Sequence, residues 1–361
     1  MKVIEIIPHL QSGGGEKFVV DLSNEISDKG HDCTIATLYD PNADDILREF
    51  ISNNVGVHSF GKKNGFDISC VFRLFSYIRK NKPDAVHLHL NAIIYVILAA
   101  ILYRKCNYFA TIHSEAKREA GSGFTKWIRK FLFKTKLVKP ITISDESEMS
   151  FEKFYGYKAT TITNGCSTYD RSTDTRKYLK YRNDIDFLFV HAGRIHAVKN
   201  QEMLVKAFER CISDGYNIRL LIAGRVTDDI IYRKIEGHLS DKIIYLGETS
   251  DVRAIMSVAD AFCLSSIMEG MPITIIEAMS VGCVPICTPV GGCINMIEDG
   301  INGFLSIDTQ VESYASKIKK FCDIDKTKLS QIKEQCKSDF AFKYSISKTA
   351  ENYLNLFNYE K

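Results

Sequence analysis

Short apolar runs alternate with longer amphipathic segments along the first 165 residues. This alternation of strand-length and helix-length patterns is typical of a parallel sheet with covering helices. The pattern predicts strands at residues 3–7, 33–38, 85–88, 108–112, 141–143 and 160–162, and helices at residues 16–27 and 92–102. We therefore expect a first α/β domain over residues 1–166.

The alternating pattern stops at residues 167–184, where polar residues replace apolar ones, and then starts again. Residues 185–343 predict strands at 187–190, 219–223, 243–246, 261–264 and 284–286, with a helix at 201–213. The expected fold class is α/β, with two doubly wound, Rossmann-like domains facing each other across a cleft. Such sheets bind ligands beyond the carboxyl ends of their strands, which would put the site in that cleft. A last helix in residues 344–361 has an apolar face, and the first domain is one candidate to cover it.

Composition supports this architecture and narrows the functional classes. A chain of 361 residues with 45% hydrophobic and 25% charged residues can bury two cores, which excludes a disordered or fibrous protein. The 11 cysteines include no C-x-x-C pair, so neither a disulfide framework nor a zinc site is predicted. No apolar run approaches the roughly 18 residues that span a bilayer. We expect a cytoplasmic protein with no metal and no cofactor.

Positive charge is concentrated in the first half of the chain. Residues 1–180 hold 26 Lys/Arg and 20 Asp/Glu, whereas residues 181–361 hold 21 and 24. No interleaving of aromatic and basic residues accompanies the excess, so we expect no nucleic-acid partner. Two segments, from Lys126 to Lys139 and from Phe66 to Lys82, combine basic and apolar residues as an anionic membrane surface would require. Phe133 is expected on the outer face of the first segment and Trp127 on its inner face; ordinary amphipathic packing is the alternative.

A glycine-rich turn follows the first predicted strand. Gly13, Gly14 and Gly15 precede a helix, and bare backbone at a helix N-terminus can approach a phosphate closely. Gly14 and Gly15 are therefore candidate substrate contacts, although three glycines can also simply make a tight turn. The dinucleotide-binding fingerprint needs a third glycine where this chain has Phe18, which argues against a nicotinamide oxidoreductase.

A second candidate site lies between residues 265 and 282. Pro272 suits the first turn of a helix, so the amides after it are expected to be unpaired and able to bind an anion. Carboxylates at Glu269 and Glu277 flank that helix start, as a ligand with hydroxyls on both sides of a phosphate would require. The alternative is that Glu269 caps the helix and Glu277 is solvated. The candidate substrate contacts here are Glu269, Gly270, Met271, Pro272, Ile273, Thr274 and Glu277.

These residues carry a resemblance to a known family. Glu269 and Glu277 form an E-x7-E pattern, and the segment resembles the retaining glycosyltransferase family 4 of GT-B fold. The order and spacing of further motifs extend the resemblance over nearly the whole chain. They are Gly13-Gly-Gly-Glu16, Asp84-Ala-Val-His-Leu-His89, Thr111-Ile-His113, Asn164-Gly165, Gly193-Arg194 through Lys199, Ala223-Gly224, Gly291-Gly292 and Asp299-Gly-Ile-Asn-Gly303.

The resemblance implies sugar transfer from a nucleotide donor with retained anomeric configuration and no obligatory metal. Arg194 and Lys199 match the basic pair that binds the donor diphosphate, and Glu277 matches the carboxylate that binds the ribose. Glu269 and His113 match groups near the donor sugar. The alternatives from the residues alone are that Arg194 is a surface ion-pair residue and that His113 is a capping or packing histidine, and the phosphate role is favoured for Arg194.

The sequence therefore predicts a metal-independent hexosyltransferase. The donor would be a UDP- or GDP-linked sugar, and the acceptor a hydroxyl of a glycan or lipid-linked glycan in bacterial surface polysaccharide synthesis. The first domain is expected to bind the acceptor and the second the donor, with the protein cytoplasmic or peripheral on the inner face of the cell membrane. The rivals are a nucleotide-sugar epimerase of GT-B fold and a non-catalytic nucleotide-sugar-binding protein.

Overall fold

The computed structural model describes residues 1–11, 13–168 and 175–359, which form two compact units. Unit 1 comprises Met1–Ser167 and Tyr344–Lys361, and unit 2 comprises Thr168–Lys343. Residues 169–174 of the expected linker and residues 360–361 lie outside the described residues.

The strands form one parallel sheet in each unit. Unit 1 has the order β3-β2-β1-β4-β5-β6-β7, and unit 2 has the order β10-β9-β8-β11-β12-β13. The strands are β1 Lys2–Ile7, β2 Asp32–Thr37, β3 Gly56–Ser59, β4 Ala85–His89, β5 Asn107–Ile112, β6 Lys139–Thr142, β7 Thr160–Thr161, β8 Phe187–Ala192, β9 Ile218–Ala223, β10 Ile243–Gly247, β11 Ala261–Leu264, β12 Val284–Cys287 and β13 Phe304–Leu305. The central strands are nearly continuous apolar runs because helices cover both faces of the sheet.

Fifteen α-helices are described. They are α1 Gly14–Asp28, α2 Ile68–Asn81, α3 Ile97–Leu102, α4 Ala116–Glu119, α5 Gly123–Lys134, α6 Asp145–Tyr155, α7 Arg176–Leu179, α8 Gln201–Ser213, α9 Asp229–Glu236, α10 Val252–Val258, α11 Ile273–Val281, α12 Cys293–Met296, α13 Val311–Cys322, α14 Lys326–Asp339 and α15 Ile346–Tyr359. Short 3₁₀ turns lie at Ile46–Phe50, Leu90–Tyr95, Lys180–Arg182 and Ala197–Lys199, and a π turn at Phe340–Tyr344.

Some boundaries differ from those that the sequence predicts. The helix expected over 92–102 is a 3₁₀ turn followed by the shorter α3, and the segment expected as a linker contains α7. The pattern gives no signal for β3 or β13. Strand β3 lies at the edge of its sheet with two exposed residues, and β13 has only two residues, so neither carries a buried apolar run.

The face of the unit 1 sheet that carries polar residues is covered by α15. Glu5 of β1 pairs in register with His87 of β4, so their side chains project from the same face of the sheet. Tyr353 and Phe357 of α15 are fully buried, and both rings lie beside His87, at centroid distances of 4.9 and 5.6 Å. The C-terminal helix therefore seals a set of charged and polar groups away from water.

Helix α5 has a different orientation from the predicted one. Trp127 is 60% exposed, whereas Phe133 is only 1% exposed and packs on Phe151 and Tyr155 of α6. The prediction that Phe133 lies outside and Trp127 inside is thus wrong, because partners on a neighbouring helix fix which apolar side is buried. Within the described residues, no helix is both long enough and apolar enough to cross a membrane.

Candidate functional site

Lys199 and Glu269 of unit 2 form an ion pair at the carboxyl ends of two adjacent strands. The Nζ atom of Lys199 lies 2.6 Å from Oε1 of Glu269, which also accepts a hydrogen bond of 2.5 Å from the Ser266 hydroxyl. Two further bonds join the loops that carry the pair: Ile267 N donates to Val198 O, and Ser265 Oγ donates to Lys199 O. The two predicted residues are therefore in direct contact, 70 positions apart in sequence.

The loop that carries Arg194 is held from beneath by a buried glutamine. The side-chain amide of Gln201 donates to the carbonyl of Arg194 at 2.8 Å and to Nε2 of His191 at 3.2 Å. A Cβ at Gly224, where φ is +149°, would lie 2.0 Å from the Gly193 carbonyl oxygen, so only glycine allows the two turns to approach each other this closely. The Arg194 side chain itself is exposed.

Helix α11 begins beside the ion pair with a first turn that no described side chain caps. Its N-cap residue is Pro272, one position before the first helical turn in which it was expected. Gly292 N donates to Gly270 O at 2.7 Å, and a Cβ at Gly291 would lie 1.9 Å from Glu269 O. The turn after β12 thus packs directly on the backbone of residues 269–270 and fixes where the helix starts.

The structure excludes the alternative in which Glu269 caps α11 and Glu277 is solvated. Glu269 bonds to Lys199 and Ser266 rather than capping α11. Glu277 is 4% exposed, with Nε of Arg253 at 3.9 Å, so it is not a solvated residue. Thr274, in the first turn of α11, has a buried hydroxyl oxygen without a partner among the described residues.

In unit 1 the structure brings His113 next to the glycine turn. Helix α1 begins at Gly14, and a methyl group at Gly15 would lie 3.7 Å from Nδ1 of His113. The backbone amide of His113 donates to Glu119 Oε2 at 2.9 Å, and its ring nitrogen Nε2 lies 2.9 Å from Nδ1 of His89. His113 is therefore anchored both through its backbone and through its ring.

Behind His113 lies a buried cluster for which the sequence gives no third member. Oε2 of Glu5 lies 2.7 Å from Nε2 of His89 and 2.8 Å from Nδ1 of His87, and all three residues are 0% exposed. The ligand atoms lie close enough together to be considered for a metal ion. The sequence motifs do not reveal this contact, because Glu5 reaches the two histidines from the neighbouring strand.

The unit 2 arrangement provides a place for a doubly charged anion. An exposed guanidinium, an ammonium and the positive end of a helix lie on neighbouring loops, and charge-assisted bonds from such groups are the strong ones. Glu269 fixes Lys199 in place while leaving two of its three N–H donors available. This donor set matches phosphate oxygens.

Comparison with known families decides between the uses of such a site. The family model described as "Glycosyltransferase Family 4" matches residues 12–169, and the model described as "Glycosyl transferases group 1" matches residues 170–338. The chain belongs to glycosyltransferase family 4. As a family 4 glycosyltransferase it transfers a sugar from a nucleotide-sugar donor.

Relatives of this glycosyltransferase carry more specific names. A UDP-Gal:α-D-GlcNAc-diphosphoundecaprenol α-1,3-galactosyltransferase of Escherichia coli is 23% identical over 311 residues, which are 81% of this chain and 79% of that protein. An α-1,4-N-acetyl-D-galactosaminyltransferase of Campylobacter jejuni, named for an undecaprenol-linked glycan, is 23% identical over 99% of this chain and 98% of its own length.

Solved structures show that the glycosyltransferase has the GT-B fold. Anabaena HepE in complex with UDP-glucose superposes with a TM-score of 0.81 at 18% identity, covering 99% of this chain and all of HepE. Staphylococcus aureus TarM, in complex with UDP and other ligands, superposes with a TM-score of 0.79 at 14% identity over 99% of this chain.

Several supporting residues of the glycosyltransferase have no motif that would reveal them. Glu5 lies inside a strand-forming run, Gln201 follows a loop without special spacing, and Ser266 is one of many serines. The only signal was local: Glu5 is a charged residue in an otherwise apolar run of strand length, which is expected only when the charge has a buried partner. The roles of Arg194, Lys199, Glu269, Glu277, His113 and the glycines in substrate binding stay predictions.

Proposed function

We propose that this glycosyltransferase is a retaining, metal-independent hexosyltransferase that uses a UDP-linked sugar and acts on a lipid-linked glycan. The Lys199–Glu269 pair beside the uncapped start of α11 is the observation that carries the proposal.

The diphosphate is the part of the donor that the unit 2 site fits best. Breaking the bond to the sugar leaves additional negative charge on the nucleoside diphosphate. Arg194, Lys199 and the amides of Ile273 and Thr274 are the groups that would stabilise this charge as it develops. A leaving group stabilised in this way needs no metal ion.

Retention is proposed to follow from attack on the face that the diphosphate leaves. The acceptor hydroxyl would pass its proton to the departing phosphate. Glu269 is a poor candidate for a covalent nucleophile, because its Oε1 is already bonded to both Lys199 and Ser266. We assign it the role of orienting Lys199 and accepting a bond from the transferred sugar.

Glu277 is proposed to bind the ribose of the nucleoside. It is buried on α11, with a carboxylate oxygen 3.9 Å from Nε of Arg253. Ionised carboxylates in such positions accept bonds from paired ribose hydroxyls in other nucleotide-binding folds. UDP is preferred to GDP as the nucleotide because the Escherichia coli relative is named for UDP-Gal and HepE binds UDP-glucose.

The acceptor class rests on the names of relatives and on an aromatic surface of unit 1. Two relatives are named for undecaprenol-linked substrates, which supports a role in bacterial surface polysaccharide synthesis. An acceptor on such a lipid would keep the enzyme at the inner face of the cell membrane.

The two segments predicted to meet a membrane converge on one surface of unit 1. Phe66 contacts Phe124 edge-to-face at 5.8 Å, and Phe124 in turn stacks on Trp127. These three residues, which we call the aromatic ridge, are 49–60% exposed. Lys126 and Lys130 lie on the same helix as Trp127, with their ammonium groups 5.2 and 5.0 Å from the centre of the Phe154 ring, so this helix carries both exposed aromatic rings and positive charge, as binding to anionic lipid requires.

Transfer is tested with purified enzyme, radiolabelled UDP- and GDP-sugars, and undecaprenyl-diphosphate-linked GlcNAc as the acceptor probe. We expect a lipid-extractable labelled product from one UDP-sugar, with the donor's anomeric configuration on NMR. A rearranged sugar released without acceptor would instead identify an epimerase. Donor binding without transfer to this acceptor or to a panel of glycan acceptors would identify a binding protein.

Membrane contact is tested by flotation with vesicles of phosphatidylglycerol and phosphatidylcholine. The wild type is expected to float with the anionic mixture and not with phosphatidylcholine alone. Trp127→Ala should weaken flotation, whereas Ile230→Ala should not, because Ile230 is equally apolar and 71% exposed but lies in unit 2. Equal flotation of all three proteins would contradict the ridge assignment.

A further inference from the structure

Glu5, His89 and His113 form a continuous hydrogen-bonded chain that runs along the unit 1 sheet toward the glycine turn. Glu5 Oε2 is 2.7 Å from His89 Nε2, and His89 Nδ1 is 2.9 Å from His113 Nε2. Glu5 and His89 are both 0% exposed, so the inner bond of the chain is shielded from bulk water. The positions of the protons in this chain can therefore be deduced from its first member.

The carboxylate at the buried end has only acceptors to offer. Although burial raises it, the pKa of Glu5 is held at about 2 by its interactions with His87 and His89, so the group is ionised at neutral pH. The bond to Glu5 therefore requires the proton of His89 to be on Nε2. Burial lowers the pKa of His89 to about 4, so the ring is neutral and its second nitrogen, Nδ1, carries a lone pair.

The proton position of His89 in turn determines that of His113. Since Nδ1 of His89 can only accept, Nε2 of His113 must donate to it. Burial, followed by the nearby His89 and His87, lowers the pKa of His113 well below its usual value, so this ring also carries one proton. Its Nδ1 then carries a lone pair, on a ring that lies beside the glycine turn: a Cβ at Gly15 would be 3.7 Å from both Cγ and Nδ1.

We propose that Glu5 and His89 are positioning residues that hold His113 in the Nε2-protonated tautomer, so that its Nδ1 accepts a hydrogen bond from a hydroxyl of the transferred sugar. This inference rests on the proposed function, extended by the contact with the donor sugar that the family resemblance implies for His113. It makes His113 an acceptor at the site, with its only donor already committed to the protein interior.

The spacing of the cluster favours hydrogen bonds over a metal ion. Ligands bound to a tetrahedral metal at about 2.0–2.1 Å lie about 3.3 Å from one another. Glu5 Oε2 lies 2.7 Å from Nε2 of His89, with which it forms a hydrogen bond, and 2.8 Å from Nδ1 of His87, so both distances are shorter than that spacing. No step of the deduction therefore needs an ion in this cluster.

The tautomer is measured directly on full-length enzyme labelled with ¹⁵N-histidine. Two-bond ¹⁵N–¹H correlations distinguish a protonated Nε2 from a protonated Nδ1, and the His113 signals are assigned by their loss in His113→Gln. We expect a protonated Nε2 for both His113 and His89. A proton on Nδ1 of His113, or an unprotonated His89 Nε2 together with stoichiometric bound metal, would overturn the inference.

Three variants separate positioning from simple folding effects. His89→Leu removes the acceptor, so His113 should lose its fixed tautomer and kcat/KM for the donor should fall about tenfold, at the low end of the 10–100-fold cost of removing a partner that orients a histidine. His89→Asn keeps an oxygen close to the position of Nδ1 and should restore both readouts. Thr111→Val is the matched control, because it removes the 2.7 Å bond to His87 and the 3.0 Å bond to Tyr353 but leaves the chain to His113 intact.

The two readouts fail separately. If the tautomer is as expected but His89→Leu transfers sugar as fast as the wild type, the role of His113 in the proposed function is wrong. If all three variants lose activity and melt equally early, the cluster is merely structural and the positioning role is overturned. Recovery in His89→Asn alone supports it.

Discussion

Each unit buries a histidine beneath the loop that carries a candidate site residue, and the two histidines hold their protons on opposite nitrogens. In unit 1, His89 Nδ1 accepts from His113. In unit 2, the Gln201 amide donates to Nε2 of His191, so the His191 proton lies on Nδ1 and bonds to Cys263 O at 2.9 Å. The partner of the second nitrogen decides the tautomer in both cases.

The hydrogen-bond networks around His89 in unit 1 and His191 in unit 2 differ in whether they contain a charged group. Unit 1 ends in an ionised carboxylate, and its chain reaches the site residue through side chains alone. Unit 2 ends in a backbone carbonyl, and its glutamine reaches the loop through the Arg194 carbonyl. We therefore expect the network of unit 1 to act on the protonation of His113, and that of unit 2 to act on the backbone position of Arg194, whose side chain is exposed.

The comparison is tested most strongly by removing the two candidate phosphate-binding cations of unit 2, Arg194 and Lys199. Arg194→Ala and Lys199→Ala should each lower kcat by about 10² or more, because each removes charge that stabilises the departing diphosphate. The measurement is the steady-state rate of sugar transfer from the UDP-sugar that gives product in the transfer assay. Lys206→Ala, on α8 and paired only with the neighbouring Glu202, should transfer normally. Near-normal rates in both site variants would show that the site residues of unit 2 do not act on the leaving group.

Acidification below pH 6.5 should destabilise unit 1 more than unit 2, because burial lowers the pKa of both His89 and His113 in unit 1 but of His191 alone among these buried histidines in unit 2. The pKa of His89 is about 4 when folded, below its usual 6.5, so the unfolded chain takes up a proton first and stability falls between pH 6.5 and 4. This one group accounts for about 3 kcal/mol at most. Because the pKa of Glu5 is about 2 when folded, below its usual 4.5, the unfolded chain is protonated first and further stability is lost between pH 4.5 and 2. In unit 2, burial lowers the pKa of His191 to about 4, so this histidine also reduces stability between pH 6.5 and 4.

Hydrogen exchange followed by mass spectrometry at pH 7, 5 and 4 measures this difference. Peptides covering β4 should lose protection before peptides covering β8. His89→Asn removes the titrating ring and should flatten the response of β4 between pH 6.5 and 4, with β8 unchanged. Simultaneous loss in both strands would mean that the buried charge of unit 1 does not set its acid stability.

The parts of the fold and of the candidate site that could be predicted from the sequence are those in which a residue acts through a loop motif and not through packing. The parallel sheets follow from local periodicity, and Lys199, Glu269 and Gly291 lie in turns whose spacing carries the family resemblance. These turns are short, so neighbours in sequence are neighbours in space.

The parts that the sequence does not reveal depend on partners far along the chain. Glu5 bonds to His89 from 84 positions away, and the burial of Phe133 depends on Phe151 and Tyr155. The α5 pattern has apolar residues on both sides, and only the packing of α6 decides which side is buried. Register between strands and docking of helices set these contacts, and neither is encoded in a local window.

A clash at Gly291 should disturb unit 2 where its site loops meet. In Gly291→Ala the new methyl would lie 1.9 Å from Glu269 O, at φ +48°, so the loop must shift, at a cost of about 1–3 kcal/mol from overpacking. Gly300→Ala is the matched control, because it has a positive φ of +81° with nothing within 4 Å. The melting temperature and the affinity for the donor should both fall further in Gly291→Ala than in Gly300→Ala. Equal effects would mean that backbone strain alone is responsible.

The smallest expected effect probes the backbone placement that distinguishes unit 2. Gln201→Leu removes the donor to the Arg194 carbonyl and leaves Nε2 of His191 unpaired in a fully buried position, at a cost of about 1–3 kcal/mol. Because the loop is displaced while the Arg194 side chain remains, KM for the donor should rise about tenfold and kcat should change less. Gln331→Leu, an exposed glutamine on α14, controls for the loss of an amide. A fall in kcat with unchanged KM would instead place Gln201 in the same kind of protonation network as His89, and the contrast between the two units would disappear.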